Sequence, residues 1–382
     1  MNTPYAKRAK ERGVTSLFIV LFAALLLSII TVSFISMMVH EQQRSTDDEQ
    51  SQSAYDAALS GVEDGKRVMA ACRSGSTQAC NAINRKQCPT VIDAGINGDP
   101  AHPEEVLLQS TVAGDGSQLN QAYTCVIVNT NAPDYIGHLR QHDDSIMVPL
   151  KAASNFTRIA LAWHTTEDAT TSSPVNSSPS LPPLNAWQAN QPALLRVQLM
   201  QYSEGSIPAT TSASTGFNSG THARTIYLYP ETVGVGASFG LDGRRTGTMQ
   251  AQPVRCIDGG FSPMSGYSCE VTLDLPAPTM TDRTGFLRIT SLYAGAHFQV
   301  RLLDSAGSVD FDDGVQTIVD STGRANDLFR RVEARVEMVN ESDFPYPRAT
   351  VDITNNFCKT LAVSNGVNGY DPGSCDPTRA GN

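Results

Sequence analysis

The sequence predicts an α+β protein in which a long N-terminal hydrophobic helix precedes a mostly antiparallel β-sandwich or jelly-roll-like body with disulfides. Three observations support this fold class: an uncharged apolar run near the N-terminus, a series of strand-like runs after it, and eight cysteines that all follow the apolar run. At 382 residues the chain can bury the core of one large or two modest folded units. Its formal net charge of −10 makes nucleic acid and anionic lipid poor partners for the body.

The apolar run extends from Val14 to Val39 and contains no charged residue. As a helix rising about 1.5 Å per residue, it is longer than the roughly 30 Å hydrocarbon core of a bilayer, which favours a spanning helix over a buried core helix. Residues 1–13 form a basic leader. By the positive-inside rule the leader lies in the cytoplasm and the body lies outside. The run is also too long for the apolar part of a cleaved secretory signal peptide.

The helix is predicted to continue beyond the membrane, to about Ala71. Residues 40–71 contain no proline, and small or apolar side chains recur there at helical spacing, with Glu, Gln, Asp and Arg on the other faces. One continuous helix, half in lipid and half amphipathic, is therefore expected over about 14–71. Its apolar stripe consists of Val39, Ala54, Ala57, Ala58, Val62, Val68 and Met69.

The cysteines indicate disulfides in an oxidising compartment, because most lie beside turn-forming residues. Structural zinc is the competing interpretation, but the chain has no CxxC pair. Cys256 and Cys269 bracket a turn-rich stretch that suits a bridged hairpin, and Cys358 with Cys375 would close the last loop. For the first four cysteines three pairings are open, and the preferred one is Cys72–Cys80 with Cys88–Cys125.

Three features occur in order at the N-terminus: the leader KRAKERG, an apolar helix that starts at the next residue, and an amphipathic extension containing AYDAALSGVEDG. In these features, residues 1 to about 70 resemble type IV pilin-like proteins, especially minor pilins and the tip pseudopilins of type II secretion. RGVTSLFIVL is similar to the RGxALLxxL start of minor pilins, and the extension is similar to their AAEAG-like stretch.

The resemblance implies that a membrane aspartyl peptidase cuts between Gly13 and Val14, and that the mature apolar helices pack into a filament core with the globular domains outside. Glycine suits such a cut because a backbone without Cβ can extend into a protease cleft. The alternative is a helix-start glycine in an uncleaved anchor. Major pilins carry a glutamate at the fifth mature position, which here is Phe18. Because a carboxylate in lipid is costly and is kept for a partner, its absence implies a low-copy minor or tip subunit.

Eight runs after Cys72 are typical of strands. In the last of them Val332 and Ala334 face one way while Arg331 and Glu333 face the other, so one face is exposed to water. Gly, Pro and Ser turns separate the runs without intervening amphipathic helices, which favours an antiparallel sandwich. The runs are 122–130, 156–165, 193–203, 224–230, 269–275, 285–294, 297–305 and 329–339.

Two stretches, 165–183 and 203–222, are rich in Ser and Thr and lack a strand pattern, which predicts long surface loops or glycan-bearing, protease-resistant decoration rather than core. A subdivision near Lys151 is also expected. It would separate a cysteine-stapled segment, 72–150, which packs on the helix, from the sandwich body, 151–382.

Two clusters contain metal-ligand residue types. His138 and His142 lie next to Asp143 and Asp144 and would share one face of a helix, but their flanks predict a solvated loop. The stretch DSAGSVDFDDG offers clustered carboxylates for a calcium loop, although Asp–Gly clusters are also common in turns, which is the preferred interpretation. Its carboxylates are Asp304, Asp310, Asp312 and Asp313. No cofactor other than this candidate Ca²⁺ is expected.

The chain contains no GxSxG, HExxH or phosphate-binding glycine motif, so no catalytic residue is nominated and no enzyme is expected. Trp163, Trp187, Tyr227 and Tyr229 could line a ligand surface, but aromatic residues on strands are more often core.

The expected function is that of a non-catalytic minor, or tip, subunit of a type IV pilus-like filament, involved in pilus assembly and in surface contact or adhesion. The partners implied by the resemblance are other pilin subunits through the N-terminal helix, the leader peptidase, the pilus assembly platform and the inner membrane. The body would lie outside the cytoplasmic membrane and later on the pilus or cell surface. The alternative is a permanently anchored extracellular β-sandwich binding protein or adhesin, and an enzyme on a membrane stalk ranks third.

Overall fold

The computed structural model describes most of the chain and begins with one long helix. The described residues are 12–96, 105–108, 121–142, 144–152, 154–175, 184–203, 223–234, 237–239, 251–276, 283–312 and 314–337. Helix α1, Arg12–Arg73, runs for 62 residues without interruption. The continuous helix predicted from about Val14 to about Ala71 is confirmed.

Fifteen strands follow α1 in the described part of the chain, and each of the eight predicted runs overlaps one of them. The strands are β1 Val106–Leu107, β2 Gln121–Asn129, β3 Tyr135–Leu139, β4 Ser145–Pro149, β5 Arg158–Trp163, β6 Leu194–Ser203, β7 Ala223–Glu231, β8 Ala237–Ser238, β9 Ala251–Arg255, β10 Cys269–Asp274, β11 Arg283–Leu292, β12 Ala296–Leu303, β13 Ser308–Val309, β14 Thr317–Ala325 and β15 Leu328–Val336.

Two mostly antiparallel sheets form the sandwich. One has the order β13-β12-β5-β10-β8, with β3 pairing beside β13 along the same edge of β12, and the other has the order β4-β11-β6-β7-β9. Their inward-facing side chains form a single core that includes Ile159 and Trp163 from the first sheet and Val197 and Ile289 from the second. The α+β fold with a sandwich body is therefore confirmed.

A smaller sheet, β1-β2-β14-β15, covers the second half of α1. The alternation of buried and half-buried residues along β14 directs Val319 toward the helix. A second hydrophobic core lies between this sheet and the helices. The pairing of β2 with β14, and of β3 with β12, joins residues on both sides of Lys151.

Small residues let α1 and the smaller sheet approach closely. A Cβ added to Gly323 would lie 2.1 Å from the carbonyl oxygen of Ala54 and 2.2 Å from the amide nitrogen of Ala58. From the helix side, a Cβ on Gly61 would lie 2.3 Å from Oγ of Ser321. At Gly323 backbone therefore packs directly on backbone, which only glycine permits, whereas Gly61 leaves room for the side chain of Ser321.

The docked face of α1 contains the stripe predicted from helical spacing. Six of its seven members are at most 3% exposed, and Val39 remains exposed in the apolar half of the helix. The six are Ala54, Ala57, Ala58, Val62, Val68 and Met69.

Two short helices extend the helical layer: α2, Thr77–Arg85, and α3, Thr90–Asp93. Helix α2 begins at an N-cap, Ser76, whose side chain accepts a hydrogen bond from the amide of Ala79. Disulfides hold this layer to α1 and to β2, and a third closes the hairpin before β10. The bridges are Cys72–Cys80, Cys88–Cys125 and Cys256–Cys269, the pairings expected from the sequence.

A polar contact joins the smaller sheet to the sandwich. Arg335 on β15 donates from Nη1 to Oδ1 of Asp134 at 2.6 Å, and both side chains are largely buried. Gln316 bonds both the amide and the carbonyl of Ile136 on β3. The side chains of Arg335 and Gln316 thus both bond the segment that contains Asp134 and Ile136. These hydrogen bonds give the smaller sheet and the sandwich a defined relative position.

Candidate functional site

The first candidate functional surface is the apolar half of α1. Its seventeen large hydrophobic side chains from Leu17 to Val39 are all exposed, by 47% to 72%. Within the described residues one helix, Ser16–Arg73, is long and apolar enough to cross a membrane, and it could anchor the protein in one. Phe18 is 72% exposed. Gly13 and Val14 lie in the first turn of the helix.

Polar side chains within this apolar half bond back to the helix. Oγ of Ser28 donates to the carbonyl of Leu25 at 2.8 Å, and Oγ1 of Thr31 donates to the carbonyl of Leu27 at 3.0 Å. These hydroxyls therefore need no partner from another chain in an apolar environment.

The second candidate site is a cluster of histidines and carboxylates at one edge of the sandwich. His138 on β3 lies directly opposite His297 on β12 in the antiparallel register. Their imidazole rings stack with centroids 3.8 Å apart and planes 8° from parallel. One potential ligand atom from each of His138, Asp168 and His297 lies within 4.8 Å of the other two.

Asp168 orients His297. Oδ1 of Asp168 lies 2.7 Å from Nδ1 of His297, and the carboxylate also accepts the backbone N–H groups of His297 at 3.1 Å and of Thr165 at 2.9 Å. An ionised carboxylate only accepts hydrogen bonds, so Nδ1 of His297 donates to Asp168. Nε2 lies 3.2 Å from Oε2 of Glu167, which is 75% exposed.

A third histidine, His164, lies behind the cluster and is only 1% exposed. Neither ring nitrogen makes a hydrogen bond of good geometry within the described residues, and Nδ1 lies 4.0 Å from Oδ2 of Asp168. Burial lowers the pKa of His164, although Asp168 and the backbone of Thr171 favour the protonated ring.

The position of His138 corrects the sequence interpretation. The flanks of His138 and His142 predicted a solvated loop, but His138 lies within β3 and only His142 lies in the exposed turn before β4. The described part of the Ser/Thr-rich stretch 165–183, through Val175, lies outside the helices and strands and exposes residues such as Glu167, as predicted for a surface loop. It also contributes the largely buried Asp168 and Ser172, which the loop prediction did not anticipate.

One carboxylate of the candidate calcium loop, Asp304, stabilises a turn. Oδ1 of Asp304 accepts the amides of Ala306 and Gly307, both at 2.7 Å, and so forms the turn between β12 and β13. Asp310 and Asp312 follow β13, and Asp313 lies outside the described residues. Calcium binding there stays a prediction. Cys358 and Cys375 also lie outside the described part of the chain.

The aromatic residues divide into core and surface. Trp163 is fully buried and donates from Nε1 to the carbonyl of Ala193, and Tyr229 is 7% exposed. Tyr227 and Trp187 are half-buried, and Trp187 stacks on Tyr293 with ring centroids 4.3 Å apart.

Sequence reasoning missed His297, Asp168 and Glu167. Each is far in sequence from His138. The pairing of β3 with β12 places His297 beside His138, and the segment that follows β5, which also pairs with β12, brings Glu167 and Asp168 to the same edge. No local spacing indicates such a cluster. In the comparisons with known proteins, no family model, no curated protein and no solved structure matches this chain.

Proposed function

We propose that this protein is a non-catalytic minor subunit of a type IV pilus-like filament. The observation that carries the proposal is the division of a single uninterrupted helix into two halves. Residues 17–39 expose apolar side chains all round, whereas the part after Ser53 is docked on a sheet. The N-terminal features KRAKERG and RGVTSLFIVL that resemble pilin-like proteins lie at the start of the same helix.

The exposed half cannot remain in water. Burying one large apolar side chain stabilises by roughly 1.5–3 kcal/mol, so seventeen of them correspond to tens of kcal/mol. A lipid bilayer provides that burial before assembly, and the apolar helices of neighbouring subunits provide it afterwards. Because lipid tails and apolar helices are similarly non-polar, exchange between them has a small net driving force. The helix can therefore serve as a membrane anchor first and as a filament core later.

The half of α1 that packs on the smaller sheet would fix the orientation of the body relative to the exposed apolar half. Oη of Tyr123 donates to Oδ2 of Asp64 at 2.6 Å in a buried pair, and the Cys72–Cys80 bridge holds the end of α1 to α2. The body thus has a fixed orientation on the helix, as a subunit packed at a defined place in a filament requires.

The phenylalanine at position 18 supports a role as a minor subunit rather than as the major, repeating subunit of the filament. Phe18 has no carboxylate to pair with the terminal amine of a neighbour inside an apolar core. A subunit of this kind would be present in low copy, at or near a filament tip, where the sandwich faces partners or surfaces.

The proposal is tested by shearing filaments from cells that express the full chain and detecting it in the filament fraction. The wild-type protein is expected there in a form lacking residues 1–13, whereas Gly13→Leu is expected only in the membrane. A chain that stays in the membrane at full length in both cases would contradict the proposal and favour a permanently anchored binding protein.

A further inference from the structure

We propose that His138, His297 and Glu167 bind a divalent transition-metal ion of the Zn²⁺ class, with Asp168 as a positioning residue. This site lies at the β3–β12 edge of the sandwich, away from the apolar helix, so the proposal is independent of the filament role. It also differs from the calcium loop predicted at residues 304–313.

The strand register supplies two imidazoles at one place. His138 and His297 are direct partners across antiparallel strands, and their rings are 3.8 Å apart. Such pairs share one face of a sheet, because side chains of opposed residues point to the same side. Both ring systems therefore reach the same volume above the sheet edge.

The hydrogen bond that His297 donates to Asp168 selects the ligand atom of His297. Nδ1 of His297 lies 2.7 Å from Oδ1 of Asp168, and the carboxylate is fixed by two backbone amides. This leaves Nε2 of His297, which faces Glu167, as the ring nitrogen that can bind an ion. A carboxylate that orients a histidine through its other ring nitrogen is the usual support of a zinc-binding histidine.

The distance between His297 and Glu167 fits a shared tetrahedral ion. Two ligand atoms each about 2.0–2.1 Å from a tetrahedral Zn²⁺ are about 3.3 Å apart. The observed separation of Nε2 from Oε2 of Glu167 is 3.2 Å. The exposed side chains of Glu167 and His138 can turn toward the ion without disturbing the core, and a water molecule would complete the coordination.

The local charge also favours a cation. Within the described part of the chain, the ion pairs of Glu167 and Asp168 are with histidines alone, and no Lys or Arg side chain pairs with either carboxylate. Asp168 is only 8% exposed. A divalent ion beside His297 would compensate both negative charges. Two imidazole nitrogens and one carboxylate oxygen select Zn²⁺ and its neighbours over Ca²⁺ or Mg²⁺, which prefer oxygen ligands.

The test uses the tag-free full chain in detergent, stripped with a chelator and then titrated with Zn²⁺ in a calorimeter. One Zn²⁺ per chain is expected, and His138→Ala and Glu167→Gln should each raise the Kd by about tenfold or more. The matched controls are His142→Ala, in the exposed turn, and Glu270→Gln, an exposed carboxylate on β10 that pairs with Arg301. Neither control should change the Kd.

Absence of stoichiometric binding, or an unchanged Kd in both His138→Ala and Glu167→Gln, would overturn the proposal. His138→Ala removes an exposed side chain, so loss of folding is not expected to obscure the result.

Absorption spectra of the Co²⁺-loaded protein test the role of Asp168. Asp168→Asn should weaken binding about 10–100-fold while leaving the band positions unchanged, because no ligand is lost. Glu167→Gln should shift the bands. A shift caused by Asp168→Asn instead would make Asp168 a ligand and overturn its assignment as a positioning residue.

Discussion

The hydroxyl of Tyr123 on β2 donates a 2.6 Å hydrogen bond to the carboxylate of Asp64 on α1, at the centre of the contact between helix and sheet. Tyr123 is 2% exposed and Asp64 is 4% exposed. Arg67, one turn further along, also donates to Asp64 at 2.7 Å. The Asp64 carboxylate is therefore buried against Tyr123, whereas the side chain of Arg67 is 67% exposed. The buried Tyr123–Asp64 bond fixes the register of the helix on the sheet.

Tyr123→Phe removes the hydroxyl and leaves the buried Asp64 carboxylate with fewer donors. The free energy of unfolding is expected to fall by about 1.5–3 kcal/mol, the usual range for a hydrogen bond to a charged group. Urea unfolding followed by far-UV circular dichroism measures the change. Tyr55→Phe, an exposed position on the same helix, is the control and should leave the midpoint unchanged. Equal midpoints for the two variants would contradict the role given to the Tyr123 hydroxyl.

Gly323→Ala tests the close approach of α1 to β14. The added Cβ would meet backbone atoms of Ala54 and Ala58 at 2.1 and 2.2 Å, which cannot move independently of the helix. Stability should fall by about 1–3 kcal/mol or more, as in other overpacked cores. Hydrogen exchange of the amides of α1 after Ser53 should also accelerate. The control is Gly260→Ala, whose Cβ would have no neighbour closer than 4.0 Å. Similar exchange in both variants would show that the helix does not dock as described.

The two disulfides near the helix should differ in their effect on stability. The chain-entropy relation gives about 4 kcal/mol for the 37-residue separation of Cys88 and Cys125, and about 2.5 kcal/mol for the 8-residue separation of Cys72 and Cys80. Replacing each pair by alanine and measuring urea unfolding provides the comparison. A larger loss for the Cys72–Cys80 pair would contradict this ranking.

Acidification should destabilise the body through His164. Burial lowers the pKa of His164 below the ordinary value of 6.5. As the pH falls, the ring is therefore protonated in the unfolded chain while it is still neutral in the native protein. Stability contributed by the neutral ring is present above about pH 6.5 and decreases as the pH falls below it. His164→Asn removes the titration and suits the positive φ of 68°. In chelator, the variant should show a shallower loss of stability between pH 7 and pH 5. Identical slopes would exclude His164 as the cause.

Elements dominated by local pattern were predictable from the sequence. Helix α1 could be predicted almost to its ends because hydropathy, absent prolines and a stripe of small residues all agree. Strand β14 was missed, since Asp320, Ser321 and Gly323 have low strand propensity. Gly323 is there because the helix backbone touches the strand, which is a tertiary requirement that no local pattern reveals.

The candidate metal site was predictable only at His138. Its partner His297 is paired through the order of strands in the sheet, and strand order does not follow from the residues of either strand. Asp168 lies in a Ser/Thr-rich stretch with the composition of a surface loop. It is buried because its carboxylate accepts hydrogen bonds from Thr165 and His297.

Under the proposed function, the exposed half of α1 leaves the membrane for a filament after the basic leader is removed. N-terminal sequencing of the protein recovered from membranes and from sheared filaments tests it most directly. We expect a sequence that begins at Val14 in the filament fraction. A protein that retains residues 1–13 in every fraction would contradict it.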